Sequence, residues 1–129
     1  MSSFVDQIEW NSDGLVPVVT QDVTSGSILM HAWVNEEALQ VSISEGRAVY
    51  WSRSRSGLWR KGEKSGNTQK LVDVYLDCDN DTLCYQVEQL GGIACHTGRK
   101  SCFYRKLENG KWLSFEPVLK DPSAIYGES

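Results

Sequence analysis

The chain of 129 residues carries 40% hydrophobic side chains and a formal charge of −4. That is enough apolar content for one core, and the wrong sign for bulk attraction to nucleic acid or an anionic membrane. No apolar run approaches the ~20 residues of a membrane span, and the opening residues show neither the basic nor the apolar segment of a secretory signal. A cytoplasmic location is therefore expected. In a reducing compartment the four cysteines read as metal ligands or core residues rather than disulfides.

In chain order, residues 16–20 predict a strand, and Pro17 argues for a position at a sheet edge. Ser25-Gly26-Ser27 turns into a second strand over residues 28–33, and the two make a hairpin. Asn35 is a good N-cap, with Glu36 and Glu37 where the helix dipole favours carboxylates. Ala38, Leu39, Val41 and Ile43 predict a short helix, and Gly46 stops it. Residues 48–52 return as a strand. Residues 53–69 are polar, basic and glycine-punctuated, and predict one long loop. Strands follow over residues 71–76 and 82–87, and Gly91-Gly92 breaks the pattern. Segments 101–107 and 111–115 flank Glu108-Asn109-Gly110, a hairpin turn. The whole reads as α+β, mostly antiparallel β with one main helix, in a single domain over residues 1–120 with a flexible tail over 121–129.

The chemistry concentrates in three segments. The first is Asp77-Cys78-Asp79-Asn80-Asp81, which sets hard oxygen ligands beside a soft sulfur. If the preceding strand continued through it, Asp77, Asp79 and Asp81 would share one face and Cys78 would point from the other, making two metal sites back to back. The aspartates match positions 1, 3 and 5 of a calcium EF-hand loop, but Thr82 stands where that loop requires glycine, and the flanks read as strands. A solvated acidic turn is the bland alternative.

The second segment holds Cys95-His96 and Cys102. Six residues separate the two cysteines, wider than a zinc-finger knuckle, but Gly98 lets the loop fold both sulfurs onto one ion. With Cys78 they would offer three thiolates and leave one tetrahedral position open. Cys84, between Leu83 and Tyr85, reads as a core residue rather than a fourth ligand. His96 reads either as a loop histidine or zinc ligand, or as a general base. His31 reads as structural.

The third segment is the basic loop from Ser52 to Asn67, with five cations, serine hydroxyls and glycines, the chemistry of phosphate capture. Trp59 could stack on a base. No Walker A or G-x-G-x-x-G motif is present.

Together these segments resemble the phosphoribosyl-AMP cyclohydrolase family of histidine biosynthesis. The stretches that carry the resemblance are Ala32 to Leu39, Tyr50 to Arg55, Leu58 to Asn67, Asp77 to Asp81, Cys95 to Gly98 and Ser101 to Phe103. The resemblance implies a stand-alone cyclohydrolase that opens the purine ring of N1-(5-phosphoribosyl)-AMP at N1–C6. It implies Mg²⁺ on Asp77, Asp79 and Asp81, and Zn²⁺ on Cys78, Cys95 and Cys102, with one of each ion per subunit. It implies an obligate homodimer with zinc ligands shared between chains, a small-molecule nucleotide as substrate, and neither nucleic acid nor membrane as partner. His96 becomes the candidate proton carrier. Ser52, Arg53, Ser54, Arg55, Trp59, Lys61, Glu63, Ser65 and Gly66 become candidate substrate-binding residues. Two positions depart from the common pattern: Asn67 stands where many members carry histidine, and Val34 replaces a frequent methionine. Two other functions fit the sulfur ligands: a Cys₄ zinc module that holds a partner or RNA, and a zinc-dependent nucleotide deaminase. The deaminase signature H-x-E…P-C-x-x-C is absent.

Overall fold

The computed structural model describes residues 3–62, 66–95 and 97–120. Six strands form one mixed sheet: β1 (Val16–Asp22), β2 (Ile28–Val34), β3 (Val49–Ser52), β4 (Gly57–Arg60), β5 (Gln69–Leu76) and β6 (Leu83–Gln89), in the order β4-β3-β2-β1-β6-β5. The expected β1–β2 hairpin forms, but β1 lies in the middle of the sheet and not at its edge. It runs antiparallel to β2 and parallel to β6. Pro17 is tolerated because the β6 ladder begins one residue later, at Val18↔Leu83, so its missing N–H leaves no pairing unmade on that side.

The helix α1 (Glu36–Glu45) starts and stops where the sequence says. Asn35 Oδ1 accepts from Ala38 N at 2.8 Å, and Gly46 ends the helix at φ +70°, a conformation that favours glycine. Its buried face is Ala38, Leu39 and Ser42, while Ile43 is 47% exposed. Ser42 takes the inward position because its hydroxyl is satisfied there: it accepts from Val49 N at 2.9 Å and reaches Ala38 O at 2.8 Å. α1 packs on β2 and β3 and covers one face of the sheet. Val16 and Val18 of β1, Val34 of β2, and Leu83, Tyr85 and Val87 of β6 are buried in the core. Each such side chain contributes about 1.5–3 kcal/mol over its exposed state.

A chain of buried polar side chains crosses this core. Thr20 Oγ1 lies 2.7 Å from Tyr50 Oη, and Tyr50 donates to Gln69 Oε1 at 2.6 Å. Gln69 donates to Gln89 Oε1 at 2.8 Å, and Gln89 Nε2 donates to Asn67 O at 2.9 Å. Each donor in the series meets an acceptor, so the series fixes the entry into β5 without an orphaned polar group.

The expected long loop over residues 53–69 is not one loop. It contains β4, which pairs with β3 from Val49↔Arg60 to Ser52↔Gly57. The C-terminal hairpin forms as β7 (Arg105–Glu108) and β8 (Lys111–Ser114), a separate two-stranded sheet with every residue exposed. Its turn places Asn109 at φ +50° and Gly110 at φ +76°, the pair of positive angles a two-residue hairpin needs. The segment 101–104 that precedes it is not strand, so this hairpin is shorter than expected. The tail over 121–129 lies outside the described residues.

Candidate metal and active site

β5 stops at Leu76 and β6 begins at Leu83, so the aspartate run is a turn and not a continuing strand. The alternation of faces expected for Asp77 to Asp81 therefore does not operate. The turn clusters the carboxylates by another route. Asp77 Oδ1 accepts from Asp81 N at 3.0 Å and from Thr82 N at 3.2 Å, and Asn80 takes φ +66°, which asparagine tolerates well. One oxygen from each of Asp77, Asp79 and Asp81 can then lie within 4.8 Å of the others, all exposed. Desolvation pushes the Asp77 carboxyl upward, but hydrogen bonds from Asp81 and Thr82 and from the neighbouring carboxyls hold it below the ordinary range. Hydrogen bonds to Asp81 and Asp77, together with their charge, hold Asp79 above it. Crowded carboxyls that push one another's titration apart suit a hard divalent cation.

The sulfur pair is built by the chain leaving β6. Gly91 and Gly92, at φ +85° and +75°, turn it out of the strand. The segment then folds back on itself: Ala94 N donates to Lys100 O at 3.1 Å, and Cys95 N to Arg99 O at 3.2 Å. Gly98 sits at φ +86°, and a Cβ there would fall 1.7 Å from Lys120 O, so no other residue fits. Cys102 N donates to Leu29 O at 2.7 Å, which anchors the returning limb to β2. Thr97 Oγ1 donates to Cys95 Sγ at 3.0 Å. Desolvation, then the adjacent Cys95 sulfur, push the Cys102 thiol up to about 12, against the pull of Lys61. Cys95 and Cys102 are thus neighbours, as Gly98 led us to expect. His96, between them in sequence, lies outside the described residues.

Cys78 is elsewhere. It follows edge strand β5, whereas Cys102 is tied to β2, three strands away in the sheet. At ~4.8 Å per strand spacing the lateral offset alone is about 14 Å. Sulfurs that share a zinc ion lie within about 4 Å of one another, because Zn–S is ~2.3 Å. Among the described residues only Asp77, Asp79 and Asp81 group closely enough to hold a metal within one chain. Cys84 is half-buried on β6, on the sheet face away from α1, with Gln86 Nε2 at 3.7 Å from its sulfur.

The basic segment divides into parts with different surroundings. Ser52, Arg53, Ser54 and Arg55 form the tight β3–β4 turn, where Arg55 N donates to Ser52 Oγ at 3.3 Å and the Arg53 guanidinium stacks 4.7 Å from the Trp33 ring. Arg53, Ser54 and Arg55 are exposed. Arg60 is held by Glu45, with Nη2 to Oε2 at 2.9 Å. Trp59 is on β4 opposite Tyr50, ring centroids 5.5 Å apart. Lys61 is buried beneath the sulfur loop, its Nζ 2.5 Å from Ala94 O. Gly66 is exposed, and its N donates to Gly62 O at 2.8 Å. Glu63 and Ser65 lie outside the described residues.

Sequence reasoning missed an open depression of about 470 Å³ at Cys102, lined by Cys102, Phe103, Tyr104, Arg105 and Trp112. Only its aromatic and cationic composition could have flagged it, and that is spread over two segments joined by the hairpin fold.

The pattern of the phosphoribosyl-AMP cyclohydrolase family matches residues 30–104. The chain is 61% identical over 126 residues to the phosphoribosyl-AMP cyclohydrolase of Pseudomonas aeruginosa (strain UCBPP-PA14), covering 98% of this chain and 94% of that protein. It is likewise 61% identical to the protein of that name from Stutzerimonas stutzeri (strain A1501), covering 98% and 96%. The one from Marinobacter nauticus is 59% identical over 98% of this chain and 91% of its own length.

Proposed function

The chain belongs to the phosphoribosyl-AMP cyclohydrolase family, and from that premise we propose that it works as a homodimer whose sulfur site is completed between two chains. The reaction is the cyclohydrolase step of histidine biosynthesis. Water hydrolyses the N1–C6 bond of N1-(5-phosphoribosyl)-AMP: its oxygen bonds to C6, the N1–C6 bond breaks, and N1 takes a proton. The purine amino group stays on C6 as part of a carboxamide, and no ammonia leaves.

The observation that supports a shared site is the separation of Cys78 from the Cys95–Cys102 pair. The donor set fits zinc: two neighbouring sulfurs, one steadied by the Thr97 hydroxyl, and a third exposed sulfur free to reach another chain. Cys95 and Cys102 would hold the ion with Cys78 of the partner subunit. Zinc bound there supplies a nucleophile at neutral pH, because it lowers the pKa of water to about 7. The aspartate turn fits Mg²⁺, a hard ion that takes carboxylate oxygens. Exposed apolar side chains support assembly. One face of the sheet carries the row Tyr75–Cys84–Val19–His31, with Tyr75 55% exposed. The β7–β8 hairpin presents Leu107, Trp112 and Leu113 to solvent.

In this scheme the chain's own residues position the substrate and move protons. Arg53 and Arg55, exposed at the β3–β4 turn, take phosphate oxygens, which places C6 at the sulfur site. His96, next to Cys95 in sequence, carries the proton to N1. The test is an ultraviolet assay with phosphoribosyl-AMP alongside an ammonia assay. An imidazole-carboxamide product without ammonia is expected. Ammonia release would favour the deaminase, and tight zinc without turnover would favour the Cys₄ module.

A further inference from the structure

Lys61 is the one lysine buried among the described residues, only 6% exposed. Its Nζ donates to Ala94 O at 2.5 Å and lies 5.3 Å from the Trp59 ring centroid. A carbonyl dipole and a ring quadrupole do not balance an ammonium withdrawn from water. Among the described residues no carboxylate pairs with it. Two thiols lie close by instead. Ala94, whose carbonyl Lys61 holds, immediately precedes Cys95, and Cys102 is the neighbour of Cys95 on the returning limb. Three thiolates around one divalent cation leave a net negative charge, and that is the charge the buried ammonium lacks.

We propose that Lys61 is the counter-charge of the sulfur site and the tether of its Cys95 limb, a positioning residue for zinc and not a phosphate ligand. The inference rests on the reading of Cys95, Cys102 and the partner subunit's Cys78 as zinc ligands. It draws on two features of one side chain. The hydrogen bond to Ala94 O sets the backbone from which Cys95 projects. Its positive charge lowers the electrostatic cost of gathering thiolates beside it. It also removes Lys61 from the group of cations available to the substrate, leaving that task to the exposed turn at Arg53 and Arg55.

The experiment compares wild type, Lys61→Gln and Lys61→Met as full-length dimers, with zinc affinity measured by competition against a chromogenic chelator at one fixed pH. Lys61→Gln keeps a donor for Ala94 O and loses the charge; Lys61→Met loses both. Both should bind zinc about 10–100-fold more weakly, the loss typical when an outer partner of a metal ligand is removed. Cobalt-substituted forms should keep sulfur-to-metal charge-transfer bands, showing the thiolate set intact. The metal-free melting temperature of Lys61→Met should be unchanged or higher, because a buried cation has been replaced by an apolar chain. A residue that merely packs would lower melting temperature and affinity together, and that result would count against the proposal. Zinc affinity in Lys61→Gln within twofold of wild type overturns it while leaving the sulfur site standing. Wild-type chain that takes up no zinc overturns the sulfur-site reading itself.

Discussion

Subunit mixing tests the shared site most directly. The perturbation is a pair of variants, Cys78→Ala and Cys95→Ala, each expected to be inactive alone because in the proposed dimer each removes one thiolate from both sites. The lateral offset of about 14 Å between β5 and β2 is several times the ~4 Å that sulfurs on one zinc ion permit. In the proposed arrangement a chain contributes Cys78 to one site and Cys95 with Cys102 to the other. In a mixed dimer one site carries both lesions and the other carries neither. Each mixed dimer should show about half of wild-type activity, and random exchange of equal amounts should give about one quarter overall, if the sites act independently. Cys95→Ala mixed with Cys102→Ala should recover nothing, since both lesions fall on the same limb and every site is damaged. Cys84→Ala should keep zinc and turnover with a packing loss on the order of 1 kcal/mol. Native mass spectrometry counts the mixed dimers, and zinc analysis counts the loaded sites. Verified mixed dimers of the first pair with no activity would refute the reasoning, as would recovery in the second pair.

Two further outcomes follow from the geometry. Asp77→Asn keeps the acceptor oxygen that caps Asp81 N and Thr82 N and removes only the charge, so zinc content should hold while the Mg²⁺ concentration for half-maximal activity rises about tenfold or more; an unchanged titration would mean a solvated acidic turn. Burial raises Tyr85 to about 12, so the neutral phenol stabilises the fold fully below the unfolded value near pH 10 and loses that contribution as pH climbs toward 12, about 3 kcal/mol in all. Tyr85→Phe should cost about 1 kcal/mol at neutral pH through the lost bond to Ser42 and flatten the alkaline limb in urea unfolding; an identical limb would argue against a buried phenol.

What the sequence made legible was local. Asn35 and Gly46 bound α1 because capping acts within a few residues, and Asn109-Gly110 specify their turn by backbone angles alone. Gly98 signalled a fold-back that brings Cys95 toward Cys102. What stayed hidden depended on distant partners. Gly57–Arg60 is a strand because β3 supplies its hydrogen bonds, though its own residues read as basic loop. Pro17 argued for an edge, but the sheet closes on β1 through β6, far along the chain. Alternation along a strand was the wrong route to the aspartate cluster, since Asp77 caps a turn. Lys61 sits between arginine and glycine in sequence, and its burial, with the bond to Ala94 O, depends on a segment more than 30 residues away. The separation of Cys78 from the other two sulfurs needed the strand order.

The parallel pairing of β1 with β6 has a consequence for synthesis. Their partners stand 65 positions apart, as in Gln21 and Gln86. At about 5–20 residues per second the ribosome takes roughly 3–13 s to deliver the β6 partner of a β1 residue after that residue itself. Through that interval β1 to β4 have their hairpin contacts, while one side of β1 remains a bare edge of the kind that recruits other chains. A strand that ends at the centre of the sheet is thus an exposed edge of the nascent protein. Slower initiation, which spaces neighbouring nascent chains, favours the folded product more than slower elongation, which lengthens the exposure.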